Sequence, residues 1–223
     1  FGEVILINNS SEEQRVTFDL SEAHFSCTNN RVFSKYPSHP NSSSDWFKSN
    51  LSNKVLGPKE KYIYHFKIEI PKKTTLQGSY WSVLMVNVEK PIKENFLNQK
   101  IALDTKVRYA IGLVTNVNEF DEIDIDFKNI QLKENDKSTV KHLKITITNK
   151  SLFVEGVKLS LEVYNKEGTK VHEFISDRNM AFPGFCRDYS IDISSLANGE
   201  YECVLIADSR DDFIGTNISL TVK

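Results

Sequence analysis

Apolar and polar residues alternate along most of this chain with a period of two, the pattern of half-buried β-strands, and helical spacing never lasts more than a turn or two. In the first half the alternation gives a strand at 2–9 (GEVILINN), a polar turn, and a second strand at 15–20 (RVTFDL). Residues 24–53 lose it and gather Ser, Asn and Pro, which predicts a long irregular excursion whose aromatics, Phe33, Tyr36, Trp46 and Phe47, must dock somewhere. A Gly-Pro turn at 55–61 launches YIYHFKIEI (62–70), with Tyr62, Tyr64, Phe66, Ile68 and Ile70 on one face. The next strand, 79–88 (SYWSVLMVNV), is apolar on both parities, as a central strand covered on both sides requires.

One segment stands apart. In 98–114 (NQKIALDTKVRYAIGLV) Ile101, Leu103, Val107, Tyr109 and Ile111 share one parity, interrupted by Thr105, while Lys100, Asp104, Lys106 and Arg108 take the other. That is roughly twice the usual strand of about 5–6 residues. A long apolar strand left at a sheet edge is an aggregation hazard that proteins normally blunt, so it needs a partner. Either it is lent to another molecule or it bridges into the next domain.

After an acidic, unpatterned stretch at 115–125, the alternation restarts at 141–149, 156–165, 170–175, 186–193, 199–208 and 215–222, punctuated by NKEG, FPG and LANG turns. The fold class is therefore all-β, two tandem immunoglobulin-like β-sandwich domains: 1–115, a linker at 116–125, and 126–223. Tyr201, two residues before Cys203 and just after SSLANG, sits where a tyrosine corner or an ordinary buried tyrosine would fall.

Composition narrows the chemistry. A formal net charge of −2 offers no basic excess for nucleic acid, and no apolar run is long enough to span a membrane. Phe1 already lies in a strand-like segment with no leader pattern before it, so either a signal peptide has been removed or the sequence begins inside the domain. The three cysteines, Cys27, Cys186 and Cys203, allow at most one internal disulfide, and Cys186 with Cys203 is the pair considered, against both being free and buried. The Asn-x-Ser triplets at Asn8, Asn41, Asn50, Asn149 and Asn217, with an overlapping one at Asn9, are those expected by chance in an Asn- and Ser-rich chain. The five histidines show no metal-ligand spacing, no serine lies in a nucleophile elbow, and DEIDIDF (121–127) lacks the tight glycine turn of a calcium loop. No catalytic site and no cofactor is expected, and a binding or assembly protein is.

The order of features resembles the periplasmic pilus chaperones of the PapD-like superfamily: a strand ending in NN, the turn LGPKEK, a strand ending IEIPK, the two-sided YWSVLMVNV, a polar loop, the long IALDTKVRYAI, then a second sandwich. The likeness covers residues 2–113 best. It implies a bacterial envelope protein, periplasmic or at the cell surface, whose long strand at 98–111 completes a client subunit by strand addition. The donor residues would be Ile101, Leu103 and Val107, with Thr105 a poorer plug between them. Arg108 matches one of the family's basic anchors for the client's C-terminal carboxylate; the second anchor lies on a first strand that would precede Phe1. Gly112 and Leu113 also stand where the family usually has Arg-Pro.

Two other readings compete. In one, the chain is a structural or adhesive surface module that binds an envelope protein, peptidoglycan or glycan, with 98–111 paired internally and the excursion 24–53 as its contact surface. In the other, Tyr36, Trp46 and Phe47 form a stacking platform for carbohydrate, unless they simply cover the open end of the first sandwich. An open strand edge also invites self-association.

Overall fold

The computed structural model describes residues 1–27, 31–35, 39–72, 75–89, 106–119, 122–134 and 140–223. The chain divides into two compact units. The N-terminal unit comprises 1–24, 32–76 and 80–117; the C-terminal unit comprises 25–31, 77–79 and 118–223. Both are built of strands, as the alternation predicts, and the one helical element among the described residues is a single 3-10 turn at Ser44–Trp46.

The N-terminal unit holds β1 (Gly2–Ile7), β2 (Gln14–Phe25), β3 (Arg31–Ser34), β4 (Phe47–Lys48), β5 (Lys54–Leu56), β6 (Lys61–Ile68), β7 (Gly78–Glu89) and β8 (Val107–Val117), the ends of β2, β3 and β7 reaching into the other unit's residues. One sheet runs β1-β6-β4; the other runs β3-β2-β7-β8, with β5 also on β2. β1 and β6 are antiparallel, with Ile5 opposite Ile63. This register turns Val4, Leu6, Tyr62, Tyr64 and Phe66 toward a core that also holds Val16, Phe18, Leu84, Val86 and Leu113. The face predicted for 62–70 is therefore the core face as far as Ile68, while Ile70 lies beyond the strand and is exposed. β7 is buried on both parities, Val83 and Met85 as well as Leu84 and Val86. A Cβ at Gly2 would clash with the Phe66 ring, so any larger residue there would require that ring to shift.

The C-terminal unit holds β9 (Ile125–Glu134), β10 (Lys141–Asn149), β11 (Glu155–Tyr164), β12 (Lys170–Ile175), β13 (Asn179–Ala181), β14 (Cys186–Asp192), β15 (Gly199–Ser209) and β16 (Asp212–Val222). Its sheets run β14-β10-β9 and β12-β11-β15-β16, with β13 on β11. Alternate residues of β10, β11 and β15 (Leu143, Ile145, Ile147; Val157, Leu159, Leu161, Val163; Cys203, Leu205, Ala207) interleave as one core. The Tyr201 hydroxyl donates to Ala197 O at 3.0 Å, four residues upstream, which is the tyrosine-corner bond.

Two of the Asn-x-Ser asparagines shape the loops. Asn8 closes β1: its amide donates to the carbonyls of Glu12, Leu56 and Gly57, and its oxygen accepts from Ser10 N. Asn149 closes β10 in the same way, donating to Phe153 O and Ala181 O and accepting from Ser151 N. Each is an Asx-type turn with a buried amide, so neither side chain is presented to solvent.

The cysteine pairing differs from the pair considered from sequence. Cys27 bonds Cys186, with 4.7 Å between their Cα atoms, and Cys203 is free and buried. Cys203 lies within the core, on alternate residues with Leu205 and Ala207, whereas Cys186 opens β14 near the segment that carries Cys27. Phe25, two residues from Cys27, stacks on Phe182 at 3.9 Å and meets Phe185 edge-on, so aromatic packing holds the same segment.

Candidate functional site

β8 is the last strand of its sheet and, among the described residues, pairs with β7 alone. Its odd-numbered residues face the core, but those toward the strand's start are no longer buried. Leu113 is 8 % exposed and belongs to the core, Ile111 packs against it, Tyr109 is 57 % exposed and Val107 is 42 % exposed. The strand thus carries its inward-facing apolar side chains past the point where the opposite sheet covers them. β1 is likewise an end strand, paired only with β6 among the described residues, and Ile5 (54 %) and Ile7 (56 %) stand exposed on its outer face.

Between these two end strands lies a groove of about 500 Å³, floored by Val4, Leu6, Val86, Val88 and Ile111 and flanked by Tyr109. At its far end it turns polar at Asn8, Ser10 and Gln14. Asn8 fixes that end: its amide network ties β1 to the Gly57 turn, where Glu60 accepts from Gly57 N at 2.7 Å and Lys59 adopts a left-handed φ of 61°. The Glu60 carboxyl is held below its usual range chiefly by that backbone bond.

Arg108 takes the opposite parity and lies on the outer face of the sheet. Its Nε donates to Asn87 Oδ1 at 2.8 Å, and Asn87, buried in β7, donates to Asp19 Oδ2 at 2.8 Å and Thr17 Oγ1 at 3.2 Å. Lys106 pairs with Glu89 on the same strands, a contact that lowers the glutamate's pKa. The side chain matched to a carboxylate anchor is therefore one member of a cross-strand polar ladder. Ile101, Leu103 and Thr105, the other sequence-derived donor positions, lie outside the described residues, as does Tyr36.

The aromatic surface needs correcting. Trp46 is 7 % exposed, with its ring 4.6 Å from Tyr80, and Phe47 is 9 % exposed in the core against Phe66. The 3-10 turn and β4 tuck both rings inward, because Phe47 enters the β1-β6-β4 sheet opposite Ile68. They cover the sandwich and offer no stacking platform.

Sequence reasoning missed a second polar centre, in the same unit, because its members are scattered singly along the chain. Glu22, 1 % exposed at the end of β2, accepts hydroxyl bonds at Oε1 from Ser42 (2.6 Å) and Ser44, and its Oε2 lies 2.9 Å from Nε2 of the buried His39. The turn at 208–212 carries a further set of ion pairs. Asp208 pairs with Lys158 and Arg178, and Arg210 donates to both oxygens of the fully buried Glu155 at 2.9 and 2.7 Å.

No family model matches the chain, and no curated protein does. Solved structures similar to it include the class 5 fimbriae chaperone CfaA (14 % identity, TM-score 0.48, covering 100 % of this chain and 92 % of that one). Another is the CsuC-CsuE chaperone-tip adhesion subunit pre-assembly complex of Acinetobacter baumannii (10 %, 0.48, 100 % and 91 %). The YadV chaperone is similar too (11 %, 0.46, 98 % and 91 %).

Proposed function

We propose that the chain is a non-catalytic envelope protein that binds a protein client by strand addition along β8, as a pilus or fimbrial assembly chaperone does. The observation that supports this is the loss of burial on one face of β8, from a covered Leu113 to exposed Tyr109 and Val107, on a strand that among the described residues is paired on one side only. Backbone hydrogen bonds to the open edge supply affinity that tolerates sequence variation. Apolar side chains entering the client's pockets supply selectivity. Ile101, Leu103 and Thr105 continue the same parity, and Arg108 is proposed to meet the client's carboxylate with its terminal guanidinium nitrogens while Nε stays on Asn87.

The Cys27–Cys186 bond fits a periplasmic or cell-surface location, because disulfides persist in oxidising compartments and are rare in the cytosol. The domain boundaries proposed are those at 1–115 and 126–223, with the linker between. Self-association would use the same edges and is a rival occupant of them.

Amide hydrogen exchange of Val107–Val117 in the isolated protein tests the reading. Fast exchange on alternate amides is expected. Slow exchange throughout, at a concentration where sedimentation shows a monomer, would mean the edge is covered by the chain itself and would end the donor proposal. Slow exchange that disappears on dilution would identify a second copy as the occupant.

A further inference from the structure

We infer that Glu22 and His39 form an acid-opened latch holding residues 39–46 against β2 and β7. The segment reaches β7 through two backbone bonds, Ser43 N to Trp81 O (3.1 Å) and Trp81 N to Asn41 O (2.9 Å), and a parallel bridge from Ser42 to Trp81. Ser43 Oγ also donates to Ser82 Oγ of β7 at 3.2 Å and the Trp46 ring lies 4.6 Å from Tyr80, and a further set of contacts converges on one buried carboxylate. Ser42 and Ser44 donate to it, and His39 lies beside it, stacked on the Trp81 indole at 4.3 Å with an interplanar angle of 17°. Trp81 Nε1 in turn donates to Ala23 O at 3.0 Å, next to Glu22 on β2. The latch feeds directly into the sheet beyond: Trp46 N bonds Ser43 O, Glu69 N bonds Trp46 O, and Phe47 follows into β4.

A buried charge is stable only while its partners are present, and a neutral carboxyl cannot serve two hydroxyl donors and an adjacent imidazole as a carboxylate does. Burial pushes the Glu22 carboxyl up, but the bonds from His39, Ser42 and Ser44 outweigh it and leave the pKa below the ordinary 4.5. A depressed carboxyl stabilises the fold above its unfolded pKa, and that contribution is lost as pH falls through the folded value. The latch is therefore closed above pH 4.5 and opens below it. The other titratable groups on the packed elements are His24 on β2, whose ring meets His39 edge-on at 5.5 Å, Asp45 within the segment, and Tyr80 on β7 beside Trp46.

The chain's 2 tryptophans, Trp46 and Trp81, both lie in this latch, so indole emission reports it directly. In an acid titration of the full chain, a reversible red shift centred below pH 4.5 is expected while the far-UV circular dichroism holds. Glu22→Gln should emit at neutral pH as the wild type does in acid and show no transition. Should that variant fail to fold, Ser44→Ala decides: losing one donor to the carboxylate should move the midpoint to higher pH. A red shift that coincides with loss of the far-UV signal, or a midpoint unmoved in Ser44→Ala, would overturn the inference.

Discussion

β8 and β16 invite comparison, because each is the closing strand of its unit, each has 11 residues, and among the described residues each ends a sheet beside a single partner. β16 pairs with β15 along its whole length, from Asp212 opposite Ser209 to Val222 opposite Gly199. Its core-facing side chains are used where they stand: Leu220 and Val222 are buried, Ile214 and Ile218 pack on the core, and the uncovered first position is Asp212. β8 puts Val107 and Tyr109 at the corresponding uncovered end. On the core-facing parity β16 is polar where cover ends and β8 stays apolar, and the proposed client binding rests on that contrast.

The two units also differ in what fastens them. The C-terminal unit has the disulfide, the continuous aliphatic core and Arg210 clamped on the buried Glu155. The N-terminal unit has a smaller core, an open groove and a polar latch.

Perturbations can be ranked by how hard they test this contrast. Cys27→Ser should cost most, up to about 5 kcal/mol in urea unfolding, since removing the cross-link restores the entropy of a very long loop to the unfolded chain. A loss below about 1 kcal/mol would show that the Phe25 stack alone holds that segment. Leu161→Ala, in the closed core, should cost about 2–5 kcal/mol by the same measurement. Tyr109→Glu, at the open end of β8, should stay within about 0.5 kcal/mol of wild type yet abolish capture of a strand-deficient pilus subunit. If instead it unfolds the protein as Leu161→Ala does, the two edges are alike and the contrast fails. The smallest effect is electrostatic. Asp126 is held to about 2 by Lys128 first and Lys150 second, so its contribution is full above 3.8 and fades as pH falls through about 2. Carbon-detected titration should find that carboxyl near 2 and moved up in Lys150→Ala.

The alternation alone determined the all-β class and most of the strands, though not β3, β4, β5, β9 or β13, because the side-chain period of an extended chain is a local property that survives whatever the strand packs against. It also singled out the 98–114 stretch as unusual, and of that stretch Val107 and Tyr109 lie within the described residues and are exposed. Three matters depended on what meets in space. Cys27 pairs with Cys186 across a separation of 159 residues, a proximity no spacing rule encodes. Trp46 and Phe47 turn inward because β4 joins β6, although the irregular sequence around them resembles an exposed loop. Glu22, His39, Ser42 and Ser44 become one polar centre only when the loop folds back on β2, for each by itself is an ordinary polar residue in an ordinary position. Local pattern decides which way a side chain points along its own strand, and only the packing of distant strands decides what it finds there.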